Sequence, residues 1–275
     1  RMGPGGDIKT PIDLKEVEAV IEQIRKADIQ AVAICLLHSY ANPEHEQRIA
    51  EMVRVALPSS VFVTSSADVL PEIREYERTS TTVINAYVGP VVASYMSSLL
   101  GKLNAVGVGA SLRIMQSNGG VMGTDAILKK PASIVESGPA AGVIGAATSA
   151  ALGGYPNIIT LDMGGTSTDV SLIDEDIKIT NQGHIAGLPI AIPMADIHTI
   201  GAGGGSIAYV DQGGILQVGP LSAGAKPGPA CYGLGGTQPT VTDANVVLKR
   251  LPANQLLAGS LAIDESKAIT AILSI

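Results

Sequence analysis

The segment Ile158-Ile159-Thr160-Leu161-Asp162-Met163-Gly164-Gly165-Thr166-Ser167-Thr168-Asp169-Val170-Ser171-Leu172-Ile173 constrains the fold more than any other part of the chain. Two apolar runs of strand length flank a short Gly-Gly-Thr-Ser-Thr connection with an aspartate at each shoulder, which predicts a β-hairpin. Adjacent glycines can take positive φ and turn successive backbone N–H groups into one concavity, and Thr166, Ser167 and Thr168 add hydroxyl donors. Such a cup suits a phosphate. Asp162 and Asp169 would repel a bare phosphate, so the pattern makes sense with a divalent cation, typically water-coordinated Mg2+, between the acids and the phosphate oxygens. An ordinary hairpin with glycine in its turn is the alternative; the two acids and three hydroxyls weigh against it.

The length of 275 residues allows one large or two medium domains, and two fit the organisation better. A composition of 46% hydrophobic and 16% charged residues is core-rich and globular, and the net charge of −7 argues against nucleic acid as a partner. Cys35 and Cys231 lie far apart and form no CxxC, so neither a metal knuckle nor a disulfide framework is expected, which fits a reducing, cytoplasmic compartment. No apolar run approaches the roughly 18 residues of a membrane span, and the start, RMGPGGDIKT, has no apolar signal core. That start also lacks an initiation region, so the expectation is a chain that begins inside a longer protein.

Residues 13–27 are predicted to be an amphipathic helix capped by Asp13 with Glu16 three residues on, and Ile29 to Leu37 a strand buried on both faces. Asn42-Pro43-Glu44 starts a second helix and Val61 to Thr64 a short strand, so the opening is α/β with parallel pairing. Charge clusters and apolar periodicity lapses over Pro71 to Thr82, where a domain crossing is expected. A long helix over Thr82 to Leu103 should kink or break at Gly89-Pro90. Ser111 to Gln116 is strand-like and ends in Ser117-Asn118-Gly119-Gly120, which either lines a cleft or turns the chain.

From Gly183 to Thr242 there are 14 glycines and only Asp196, Asp211 and Lys226 as acid or base side chains, beside His184 and His198. A disordered linker would carry more charge and fewer Ile, Val and Leu, so ordered backbone lining a site is expected. Gly201-Ala202-Gly203-Gly204-Gly205-Ser206 lacks the third glycine and the strand-to-helix setting of a dinucleotide fingerprint, and no Walker A motif is present. Asp243 is predicted to cap a helix over Asp243 to Leu251, and another helix to start at Asp264.

Glu136-Ser137-Gly138-Pro139-Ala140-Ala141-Gly142 followed by LDMGGTSTDVSLI resembles the connecting helix and second phosphate motif of the actin, sugar-kinase and heat-shock chaperone ATPase superfamily. More narrowly, EYERTSTTVINAYVGPV, IMQSNGGVM, SGPAAGV, DMGGTSTDV, DIHTIGAGGGSIAYVD, VGPLSAGAKPGPACYG and PTVTDANVVLKRL resemble the hydantoinase A and 5-oxoprolinase family, which includes subunits of acetone and acetophenone carboxylases. The resemblance implies an α/β fold of actin-like ATPase (ribonuclease-H-like) domains, one partial and one largely complete. Residues 1–78 would be the C-terminal part of the first domain and 79–275 the hydantoinase A core domain, truncated at its C-terminus. Family members open with a first phosphate hairpin of the same type, absent before Asp162, so a fragment is expected.

The implied function is ATP-dependent opening of a cyclic amide such as a hydantoin or 5-oxoproline, through phosphorylation of the carbonyl oxygen. A ketone carboxylase subunit and a non-catalytic ATP-binding regulatory subunit are the alternatives. The resemblance makes Asp162 and Asp169 positioners of metal (Mg2+ or another divalent cation) and water, and Gly164, Gly165, Thr166 and Thr168 the phosphate cup. It makes Glu136 a candidate for orienting metal or water across the cleft, and Gly203, Gly204 and Gly205 the stretch passing close to adenosine. A second, hydantoinase B-like subunit is an implied partner, while nucleic acid and membrane are not.

Asp196 and His198, two apart, would point to the same side of a strand, as a metal or substrate site or as a hydrogen-bonded pair. Cys231 reads as buried and inert in preference to a pocket thiol, and Asp243 as a helix cap in preference to a ligand. His38, His45 and His184 read as structural or exposed.

Overall fold

The computed structural model describes residues 1–252, 256–257 and 261–275. The chain divides into two compact units, one of Arg1–Ile144 with Lys178–Asp196, the other of Gly145–Ile177 with Ile197–Ile275.

The first unit begins with α1 (Leu14–Arg25), where the Asp13 carboxylate accepts the N–H groups of Lys15 at 2.9 Å and Glu16 at 3.3 Å, as the cap pattern predicts. β1 (Ala31–Ile34), α2 (Glu44–Ala56) and β2 (Phe62–Ser65) follow, and the two strands pair in parallel from Ala31 opposite Phe62 to Ile34 opposite Ser65. Ile21, Ile34, Ala50, Val53 and Leu57 form the core between helices and sheet. β1 is shorter than its apolar run predicts, and only Ile34 in it is fully buried. Beyond Ile34 the backbone leaves the ladder for buried side chains: the Leu36 N–H donates to Glu46 at 2.6 Å, and the Leu36 carbonyl accepts from Arg78 at 2.9 Å. The buried Glu46 carboxylate also accepts from the Ser66 hydroxyl and the Ala67 N–H, so it ties the end of β1 to α3 (Ser66–Val69).

α4 (Glu75–Ala105) starts a full turn and more before Thr82, against the expected start, and continues through Pro90 with no break in its helical span. The charge-rich stretch conceals a buried polar cluster. Ser80, Thr81, Thr82, Asn85 and Arg78 are all buried and bonded: the Ser80 hydroxyl to the Pro189 carbonyl, the Thr81 and Thr82 hydroxyls to carbonyls four residues back, and Asn85 to Thr64 and the Ala132 N–H. α4 is also the one helix among the described residues that is long and apolar enough to cross a membrane, which the sequence reading did not anticipate. Its first turns are held by the buried hydrogen bonds just described.

β3 (Arg113–Met115) and β4 (Val121–Gly123) form an antiparallel hairpin. In its tip the Asn118 carboxamide oxygen accepts the Gly120 N–H at 2.8 Å and Gly119 has φ +82°, a chain-turning arrangement. α5 (Thr124–Lys129) and α6 (Ser137–Leu152) follow, and the division between the units falls within α6.

The second unit holds β5 (Asn157–Met163), β6 (Thr168–Asp174) and β7 (Asp176–Ile177). The chain then returns to the first unit for β8 (Ile179–Thr180), β9 (Gly183–Ile185), β10 (Leu188–Ile190) and β11 (Met194–Ala195), paired β8 with β11 and β9 with β10. Ile190, Ile192 and Met194 join Ile84 and Ala132 in a second core cluster there. The rest of the second unit comprises β12 (His198–Ile200), β13 (Ser206–Val210), β14 (Leu216–Ser222), α7 (Val241–Val247), β15 (Leu256–Leu257), β16 (Leu261–Ala262) and α8 (Glu265–Ile272). β12, β6 and β5 form one antiparallel sheet in that order, and β13 pairs with β14. α7 is capped by Thr240, not by Asp243 as predicted; Asp243 is the reciprocal member of a capping box, its carboxylate accepting the Thr240 N–H at 3.0 Å. α8 starts at the predicted cap, Asp264.

Glycine at position 89 is fixed by β2: a Cβ there would sit 2.5–2.6 Å from three atoms of the Phe62 ring. Overpacking of that kind costs roughly 1–3 kcal/mol, against a helix-propensity gain of at most about 1 kcal/mol. Gly89→Ala is expected to lower the melting temperature, and Gly89→Ala with Phe62→Leu to recover part of the loss; an unchanged Gly89→Ala transition in calorimetry would contradict this packing.

Candidate functional site

β5 and β6 pair in register from Asn157 opposite Asp174 to Met163 opposite Thr168, so Gly164–Ser167 is a four-residue connection and Asp162 lies directly opposite Asp169. On the other side of β6, β12 places Thr199 opposite Asp169. Strand alternation therefore sets Asp162, Asp169 and Thr199 in one row on one face of the sheet, and the Thr199 hydroxyl donates to Asp169 Oδ1 at 2.7 Å. Like charges directly opposite across strands are destabilising, and a cation between them removes the penalty. Among the described residues no group of three or more His, Cys, Asp or Glu side chains is placed to hold a metal. Two opposed carboxylates are oxygen donors of the type that hard divalent cations take, and water would have to supply the rest of the shell.

The tip is closed by the Gly164 N–H, which donates to the Ser167 carbonyl at 2.9 Å. The Gly164 and Gly165 carbonyls accept from the N–H groups of Gly204 at 3.0 Å and Gly205 at 2.6 Å. The next three amides, of Gly165, Thr166 and Ser167, have no acceptor among the described residues, and Gly165 and Thr166 are exposed. Consecutive unpaired N–H groups in a tight turn form an anion-binding concavity. Neither Gly164 nor Gly165 has positive φ, contrary to the sequence expectation. The close approach in this region is at Gly203 instead: a Cβ there would meet Thr166 N at 2.7 Å and Gly164 O at 2.8 Å. A Cβ on Gly165 would meet nothing within 4 Å, so packing among the described residues does not demand glycine there.

The remaining residues singled out from the sequence are distributed as follows. Thr168 is buried with its hydroxyl donating to the Ala202 carbonyl, so the exposed hydroxyl at the tip is that of Thr166. Gly203, Gly204 and Gly205 all use their N–H groups within the protein, Gly203 toward Ser206 Oγ at 2.8 Å. Glu136 belongs to the first unit and has φ +64°, an uncommon conformation for a residue with a side chain, directly before α6. Asp196 and His198 do not share a strand: Asp196 closes the first unit, its N–H donating to the Lys178 carbonyl, whereas His198 lies opposite Val170, on the sheet face away from Asp169. Thr199 was not singled out in the sequence, because its place depends on the pairing of β12 with β6 across some 30 residues.

Asp243 is fully buried and accepts N–H groups from Ala230 at 3.2 Å, Cys231 at 2.8 Å and Thr240, together with the Thr240 hydroxyl at 2.7 Å. Cys231 is also fully buried; that burial, then the hydrogen bond and charge of Asp243, push its thiol up to about 12. It is neutral at neutral pH and without nucleophilic character.

Two family matches cover most of the chain: Hydantoinase/oxoprolinase over residues 78–275 and Hydantoinase/oxoprolinase N-terminal region over residues 1–57. The chain belongs to the hydantoinase/oxoprolinase family, with its actin-like ATPase α/β fold. It is 44% identical over 266 residues to the caprolactamase subunit alpha of Pseudomonas jessenii, covering 96% of this chain and 38% of that protein. With the 5-oxoprolinase of Saccharomyces cerevisiae it shares 38% identity over 248 residues, 89% of this chain and 18% of that one. Among solved structures, nucleotide-free acetone carboxylase matches with a TM-score of 0.83 at 31% identity, and the ATP-dependent caprolactamase of Pseudomonas jessenii with 0.81 at 43%. Both matches cover 100% of this chain, and 39% and 40% of those chains. The chain therefore spans about two fifths or less of the relatives it matches.

A thiol held this high withholds its thiolate until well above neutral pH. Iodoacetamide at pH 8 is expected to leave Cys231 unmodified in the native protein and to modify it after denaturation. Rapid native labelling, read by peptide mass mapping, would contradict its burial beside Asp243.

Proposed function

We propose that this chain supplies one phosphate clamp of an ATP-dependent hydrolase that opens a cyclic amide of the hydantoin, 5-oxoproline or lactam type. The observation that carries the reading is the hairpin tip, with three consecutive amides that have no partner among the described residues, next to a directly opposed Asp162–Asp169 pair. MgATP, when bound, supplies the phosphoryl group that activates the amide carbonyl oxygen. Gly165, Thr166 and Ser167 hold the phosphate by their amides, Gly164 sets the turn, and the Thr166 hydroxyl adds a donor. Asp162 and Asp169 would hold the divalent cation, with the Asp169 carboxylate oriented by the Thr199 hydroxyl. The identity of 44% to a caprolactamase subunit and 38% to a 5-oxoprolinase supports the amide substrate class.

A second reading, a ketone carboxylase subunit, has its own support in the TM-score of 0.83 to acetone carboxylase. In either case residues 1–78 belong to a first ATPase domain and 79–275 to the second. The relatives named as subunits, caprolactamase alpha and acetophenone carboxylase gamma, support a multi-subunit complex, in which the partner in this reading is a hydantoinase B-like chain. A cytoplasmic location accords with two free cysteines far apart in sequence.

The test is phosphate release by the intact protein with MgATP and, in turn, hydantoin, 5-oxoproline, caprolactam, or acetone with bicarbonate. Stimulation by a cyclic amide is expected; stimulation by the ketone alone favours the second reading, and stimulation by none refutes both. Asp162→Asn is expected to reduce the stimulated rate by about 10²–10³-fold without altering the fold. Retained turnover would remove Asp162 from the site.

A further inference from the structure

We propose that the Gly203–Gly205 segment aims the phosphate-binding amides of the hairpin tip, and that Thr242 is the positioning residue that anchors it; this rests on the phosphate reading of the tip. A peptide unit is planar, with its carbonyl and the following N–H pointing in opposite directions. The carbonyl of Gly164 belongs to the same peptide as the N–H of Gly165, and the carbonyl of Gly165 to the same peptide as the N–H of Thr166. Gly204 N–H grips the first carbonyl at 3.0 Å and Gly205 N–H the second at 2.6 Å. The N–H groups of Gly165 and Thr166, two of the three in the cup, are thereby turned away from the Gly203–Gly205 backbone. A peptide whose carbonyl accepts a hydrogen bond is also polarised into a stronger donor.

The gripping segment is itself held from behind. The carbonyl of Gly204 accepts two bonds from Thr242, from its N–H at 2.7 Å and its hydroxyl at 2.8 Å. Thr242 lies in the first turn of α7, between the Thr240 cap and Asp243, whose buried carboxylate also holds the amides of Ala230 and Cys231. Ser206 Oγ takes the Gly203 N–H at 2.8 Å and fixes the other end of the segment. No side chain fits into this contact: a Cβ on Gly203 meets the tip backbone at 2.7 Å, one on Gly204 meets Thr242 Oγ1 at 2.8 Å, and one on Gly205 meets Gly165 O at 2.9 Å. The three glycines thus act on the bound nucleotide through the tip, and their own amides are already engaged within the protein.

The experiment is nucleotide binding and steady-state kinetics of the full protein carrying Thr242→Val, which removes the hydroxyl and keeps shape and amide, or Thr242→Ser, which keeps the hydroxyl. Thr242→Val is expected to raise the ATP dissociation constant about tenfold, the measure of one buried hydrogen bond, with the KM for the organic substrate within about twofold of wild type. Thr242→Ser is expected to bind ATP like wild type. Should Thr242→Val not fold, Ser206→Ala is expected to show the same nucleotide-selective weakening. Wild-type ATP affinity in the variant, or equal loss for both substrates in Val and Ser variants alike, overturns the proposal. A wild-type protein without ATP affinity overturns the phosphate reading and the brace together, whereas wild-type affinity retained in Thr242→Val overturns the brace alone.

Discussion

Gly204 and Gly205 hydrogen-bond to the carbonyls of Gly164 and Gly165 across a gap that admits no side chain at Gly203. Much of the second unit is arranged around that backbone-to-backbone contact. It fixes the Gly164–Gly165 part of the connection between β5 and β6. It is in turn held by Thr242 in α7 and, through Asp243, by the Ala230–Tyr232 turn. The small core of Cys231, Val246, Ile263 and Ala268 packs α7 and α8 behind this link. An exposed turn is thus supported by buried hydrogen bonds several layers deep, a means of holding donors rigid that solvent would otherwise leave mobile.

Local signals in the sequence carried a good part of this. The Asp13 and Asp264 caps, the parallel β1–β2 pair and the β5–β6 hairpin all followed from short-range patterns, because cap chemistry and strand alternation are local. α4 did not, because Arg78, Ser80, Thr81, Thr82 and Asn85 are buried polar residues, and a pattern of apolar spacing cannot register them. Nor did its passage through Pro90, which a Pro–Gly rule marks as a break.

The site was legible in its chemistry and less so in its geometry. Asp162, Asp169 and the glycines stood out, but the reason for the glycines was misassigned. Positive φ was expected at Gly164 and Gly165 and is absent there; the position where packing demands glycine is Gly203, some 40 residues on, which approaches the tip backbone. Thr199 beside Asp169 and the paired bonds from Thr242 to Gly204 depend on non-local register, which no spacing within the chain reveals. Thr168 shows the reverse, a hydroxyl of the right type whose strand position turns it inward to Ala202. Family membership gives the setting, with relatives that are ATP-dependent enzymes and of which this chain covers two fifths or less.

The central claim is that the amides of Gly165, Thr166 and Ser167 bind phosphate. Residue-resolved hydrogen–deuterium exchange on the full protein, with and without saturating MgATP, tests it directly. Nucleotide is expected to slow exchange at these three amides, while Gly204 and Gly205, already bonded to the tip, change little. Unaltered exchange at Gly165 to Ser167 with nucleotide bound would contradict the claim.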